Sequence, residues 1–153
     1  MKNLVWHYTT GEKFQLIART GVLLPATANV PPGEKPILWF SAHPYFEPTA
    51  RKAVHMCGGI HILDVPELYS RGGGLVRFGL QESSLMGWEN LNKVSGMGRA
   101  QCRSLEAAGR RQGANPNDWH GCFDPVPLGS CAVEVMDENL KWVRVADAAL
   151  PTT

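Results

Sequence analysis

The chain lacks the spacings that mark a protein-bound metal. Its four cysteines, Cys57, Cys102, Cys122 and Cys131, contain no Cys-x-x-Cys pair, and its five histidines no His-Glu-x-x-His. A metal-free protein is therefore expected, with thiols that are free and mostly buried. No apolar run approaches the roughly 20 residues of a membrane span, and no apolar signal-peptide core follows the first residues. A cytoplasmic protein that does not enter membranes is the expectation. Charge is nearly balanced, at +1 with a pI near 7.7, so no global field favours nucleic acid or an anionic surface. Three glycines stand together at Gly72-Gly73-Gly74, but no Gly-Lys-Ser/Thr follows and a strand comes next. They read as a tight turn. There is no internal repeat and no linker, so residues 1–153 form a single domain.

What is present begins at Leu4-Val5-Trp6-His7-Tyr8, rich in branched and aromatic residues as strands are. Thr9 and Glu12 have capping-box spacing for a helix that repeats Phe14, Ile17 and Ala18 on one face and stops at Gly21. His7 and Tyr8 thus end a strand beside a helix N-terminus, a place that favours anions. The proline-rich segment from Ala26 to Pro36 is a loop long enough to cover a ligand. Ile37 to Ser41 reads as a strand buried on both faces, and Pro48 suits the first turn of a short helix in which Glu47 and Arg51 pair.

Val54 to Val65 is a strand region broken by Gly58-Gly59, and Leu75 to Leu80 a strand with Arg77 inside it. Such an arginine either reaches the surface along its stem or binds a phosphate or carboxylate bidentately. Helices are predicted over Ser84–Val94 and Arg99–Gln112, the second with Arg99, Arg103, Glu106 and Arg110 on one side. Cys131 to Met136 is a strand with Glu134 at its centre, Leu140 to Val145 a terminal hairpin strand, and Ala146 to Thr153 a frayed tail. Strands at both ends enclosing helices argue for α+β.

His7-Tyr8-Thr9, followed by Ile17, Gly21 and Leu23 and then by Trp39-Phe40-Ser41, resembles the ADP-ribosyltransferase-like superfamily. The similarity lies with the bacterial branch whose first motif is His-Tyr-Thr. It covers roughly residues 4 to 52, and the remainder only by element order. The resemblance implies two small, mostly antiparallel sheets around an NAD cleft. It implies that NAD is the substrate and that His7 holds the adenosine ribose, with Tyr8 and Thr9 beside it. Tyr45 would stack on nicotinamide, Ser41 would buttress the ribose or the acid, and Glu134 would anchor the nicotinamide ribose. Glu47 is kept as a rival acid, because Glu134 lacks the Gln-x-Glu or Ser/Thr flank of arginine-modifying members. Arg77 or Arg51 would take the pyrophosphate. Breaking the ribose–nicotinamide bond develops positive charge on the sugar, which is why such a site needs a carboxylate. Expected activities are ADP-ribosyl transfer, to protein, nucleic acid or a small molecule, or NAD glycohydrolysis to water.

Three other readings stand beside this one. A metal-free ribonuclease would use His7 and His120 as acid and base. An NAD-dependent RNA phosphotransferase would draw positive surface from Arg99, Arg103, Arg110 and Arg111. A catalytically silent module of the same fold would only bind. Cys57 as a nucleophile has nothing in the sequence to motivate it.

Overall fold

The computed structural model describes residues 3–148. Chain order gives β1 (Leu4–Thr10), α1 (Gly11–Thr20), β2 (Val22–Leu23), β3 (Leu38–Ser41), a single turn of 3₁₀ helix (Pro48–Ala50), β4 (Ala53–Met56) and β5 (Gly59–Ile62). Then follow α2 (Val65–Arg71), β6 (Leu75–Gln81), β7 (Met86–Gly87), α3 (Trp88–Val94) and α4 (Arg99–Arg111). β8 (Trp119–Cys122), β9 (Val126–Pro127), β10 (Ala132–Met136) and β11 (Trp142–Ala146) complete the described residues. The fold is α+β and antiparallel. Instead of two small sheets, it has one seven-stranded sheet, ordered β11-β10-β6-β1-β3-β8-β7, and two two-stranded ribbons, β2-β9 and β4-β5.

The sheet is unevenly stitched. β1 pairs with β6 along its whole length, from Leu4↔Gln81 to Thr10↔Leu75, but with β3 only at Trp6↔Ser41. Beyond that pair the two strands part, so a four-stranded half and a three-stranded half meet at one point.

Each face is packed by different elements. On one, Phe14 and Ile17 of α1 lie over Val5, Leu38, Phe40, Val76 and Phe78. Phe78 is wholly buried, which contributes about 1.5–3 kcal/mol. On the other, α2 closes a cluster of Phe46, Leu63, Leu68, Leu75 and Met136, while α3 and α4 pack on Ile37, Trp88, Leu91, Cys102 and Trp119. Gly79 lets the Trp6 ring lie across β6, since a Cβ there would stand 2.7 Å from it.

Several local expectations change. β1 runs two residues beyond Tyr8, and α1 is capped by Thr10, whose hydroxyl accepts from the Lys13 amide, rather than by Thr9. The amides of Gly11 and Glu12 donate to the carbonyls of Gly74 and Gly72, so the glycine turn fills the α1 N-terminus that was expected to favour anions. Val65–Arg71 form an unforeseen helix, α2, opened by a reciprocal capping box between Asp64 and Glu67. The helix predicted from Ser84 starts only at Trp88, because Met86 and Gly87 pair with Gly121 and His120 of β8. Tertiary pairing overrides the local pattern there. Trp39 is 36% exposed, so β3 is not buried on both faces; its neighbour β1 has already turned away. Most of the expected tail, residues 149–153, lies outside the described residues.

Candidate functional site

Where β1 and β3 separate, two cavities adjoin, of about 410 Å³ and about 450 Å³. Both are within the size range of small-molecule sites. His7, Tyr8, Trp39, Ala50 and Lys52 border both. The first lies under α1 and adds Thr9, Lys13 and Leu16; the second lies under α4 and adds Trp6, Ser41, Glu47, Arg51 and Trp119. Leu24 and Ala26, where the long loop begins, edge the first.

His7 spans the gap with a hydrogen bond from Nδ1 to the Trp39 carbonyl, at 2.8 Å. A carbonyl can only accept, so Nδ1 carries the proton. Burial lowers the pKa below its usual 6.5, the hydrogen bond opposes this, and Lys52 and Lys13 add to the lowering. The ring is therefore neutral at pH 7, and Nε2 is left as an acceptor.

Glu47 is the carboxylate of the second cavity. It is 5% exposed, at the start of the short helical turn whose first residue is Pro48. Ser41 Oγ donates to its Oε1 at 2.8 Å. Its other oxygen accepts from the Thr49 amide at 3.1 Å, from the Thr49 hydroxyl and from Trp119 Nε1 at 3.3 Å. Four donors and no cation hold this carboxylate in place among the described residues. The expected pairing with Arg51 does not form; that guanidinium donates to the carbonyls of Pro48 and Gln112.

The residues expected to act together divide into two groups. His7, Tyr8, Thr9 and Ser41 border the cavities. Glu134, Arg77 and Tyr45 border neither. Glu134 and Arg77 sit opposite each other in the β10–β6 register, both buried, and the guanidinium binds Glu134 Oε1 through Nε at 2.9 Å and Nη2 at 2.6 Å. Arg144 takes Oε2 at 3.0 Å. Glu134 is neutralised by two arginines away from both cavities, and Arg77 is committed to that carboxylate while packing 3.9 Å over Trp6 and 4.6 Å over Trp142. Of the two candidate acids, Glu47 borders a cavity, whereas Glu134 is taken up in a buried ion pair. Tyr45 turns outward, its hydroxyl donating to the Leu140 carbonyl at 2.8 Å; Trp39, packed on Trp88 and Trp119, borders both cavities.

Lys13 and Lys52 were missed, because neither stands in a motif. Both border the first cavity, and among the described residues neither forms an ion pair with a carboxylate. Burial, and then Lys13 itself, lower the Lys52 pKa. Two ammonium groups that repel each other at the wall of a cavity suit an anionic guest.

His120 is buried elsewhere, against the Asp118 carbonyl at 2.8 Å and Glu82 at 3.3 Å, and borders neither cavity. The two-histidine arrangement of a ribonuclease is not assembled. Arg99, Arg103, Arg110 and Arg111 are exposed on α4, facing away from the cavity. All four thiols are free; Cys102 and Cys131 are buried and Cys57 is exposed at the β4–β5 turn. Among the described residues no group of three His, Cys, Asp or Glu is placed to hold a metal ion, and no helix is long and apolar enough to cross a membrane. No family model matches the chain, and neither the curated proteins nor the solved structures contain a significant match.

Proposed function

We propose that the chain consumes NAD, cleaving the bond between ribose and nicotinamide as an ADP-ribosyltransferase or NAD glycohydrolase does. The observation that carries this is the parting of β1 from β3. It brings a neutral His7 with a free Nε2, the half-exposed Trp39 and the buried Glu47 to one two-lobed groove with two lysines in its wall. A dinucleotide has this division: two ribosyl halves joined by a doubly charged pyrophosphate.

In this reading the nicotinamide ribose lies in the second cavity. Glu47 holds a ribose hydroxyl and offsets the charge that develops on the sugar as the glycosidic bond lengthens. Ser41, Thr49 and Trp119 fix the carboxylate beforehand, so little reorganisation is left to the reaction. Trp39 stacks on the departing ring. His7 Nε2 accepts from the hydroxyl of the other ribose, and Lys13 and Lys52 face the pyrophosphate. Nicotinamide leaves with the bonding pair; the sugar cation is captured by a nucleophile that gives up a proton. Water as that nucleophile makes the protein a glycohydrolase, and a macromolecular nucleophile makes it a transferase.

Melting the protein with and without millimolar NAD tests the groove. Occupancy at 100 times the dissociation constant adds about 2.7 kcal/mol, a shift of several degrees that His7→Ala should remove. No shift at any NAD concentration would refute the reading. A shift without nicotinamide release would leave a silent NAD-binding module.

A further inference from the structure

We propose that Arg77 and Trp142, neither of which borders the groove, are positioning residues for Glu47, acting through the loop that carries it. This rests on the reading of Glu47 as the carboxylate at the reacting ribose. The loop from Ala42 to Phe46 has no regular structure, yet three successive carbonyls in it each accept a side-chain donor from a different strand. Tyr8 Oη of β1 donates to His43 O at 3.0 Å, Arg77 Nη1 of β6 to Pro44 O at 3.1 Å, and Trp142 Nε1 of β11 to Tyr45 O at 2.7 Å.

The loop also holds itself. His43 Nδ1 accepts from the amides of Tyr45 and Phe46, both at 3.1 Å, and the His43 amide donates to the Ser41 hydroxyl that binds Glu47. Tyr45 Oη reaches Leu140 O, tying the loop a second time to the turn before β11. The buried Glu134 has its place in the same device. It holds the Arg77 fork whose Nη1 donates to Pro44 O, while the Trp6 and Trp142 rings both pack against the guanidinium. β10 and β11 thus act on the groove without touching it: they fix a clamp, the clamp fixes the loop, and the loop delivers Ser41 and Glu47.

Two variants outside the groove test this. Trp142→Phe keeps an aromatic ring beside Arg77 but removes the donor to Tyr45 O together with part of the ring's packing surface. Tyr45→Phe removes only the bond to Leu140 O, at an exposed side chain where folding is tolerant. The Glu47 carboxyl is titrated by carbon NMR in the wild type and both variants. A midpoint moved by about half a pH unit or more in Trp142→Phe supports the clamp; superimposable curves in both variants overturn it. This readout stands even where the wild type leaves NAD intact, a result that would sink the enzymatic reading separately. With NAD turnover, Trp142→Phe is expected to lower kcat about tenfold with KM almost unchanged, and equal kcat in all three proteins would overturn the clamp.

Discussion

At the scale of single residues, the two buried glutamates differ in what holds them. Glu134 is neutralised by Arg77 and Arg144, whereas Glu47 is held by neutral donors and opens on a cavity. Glu47→Gln is expected to lower nicotinamide release by about 10²–10³ while NAD still raises the melting temperature. Glu134→Gln should lower stability, since it strands the buried Arg77 charge at a cost of about 3–5 kcal/mol in denaturant melts, and should also loosen the Arg77 contact to the loop that carries Glu47. His7 links the site to pH. Its folded pKa lies below the unfolded value of 6.5, so between those values the unfolded chain binds more protons. Its contribution is whole above 6.5 and is lost as pH falls below it. Wild-type melting temperature should therefore drop more steeply than that of His7→Gln as pH falls below 6.5, and NAD binding should weaken over the lower part of that range as Nε2 takes a proton.

At the scale of elements, close contacts set the groove's shape. Gly109 lets α4 lie on the Trp119 indole, where a Cβ would stand 2.5 Å from the ring. Gly109→Ala should cost about 1–3 kcal/mol of stability through overpacking. Because Trp119 also donates to Glu47, the same variant should impair nicotinamide release more than its melting temperature accounts for. The Asp64–Glu67 box stabilises α2 at its N-terminus, one turn from the Leu68 that borders the first cavity. Asp64→Ala is expected to lower stability by about 1 kcal/mol with no change in NAD affinity. The strand order β11-β10-β6-β1 explains why a terminal hairpin matters to a groove opened by β1 and β3: its side chains reach the Ala42–Phe46 loop across the sheet face.

For the whole molecule, Lys13 and Lys52 set a balance between stability and binding. Lys52→Met relieves their repulsion, so the ligand-free protein should melt higher while NAD binding falls about tenfold by calorimetry. The sequence by itself determined the α+β class, the strands through His7, Ser41 and Glu134, the α1 stop at Gly21 and a helix from Arg99. Those features are local: alternation, helical spacing and turn residues are written in a few consecutive positions. It placed Arg77 inside an apolar strand but left open what the charge meets, and it kept Glu47 only as a rival. Tertiary structure decided these points. The Arg77–Glu134 pair joins residues 57 positions apart, Trp119 reaches Glu47 across 72, and Lys13 and Lys52 come from different elements to one cavity. Which carboxylate meets an arginine and which meets a cavity depends on strand register and on where β1 leaves β3, and no short stretch of chain encodes either.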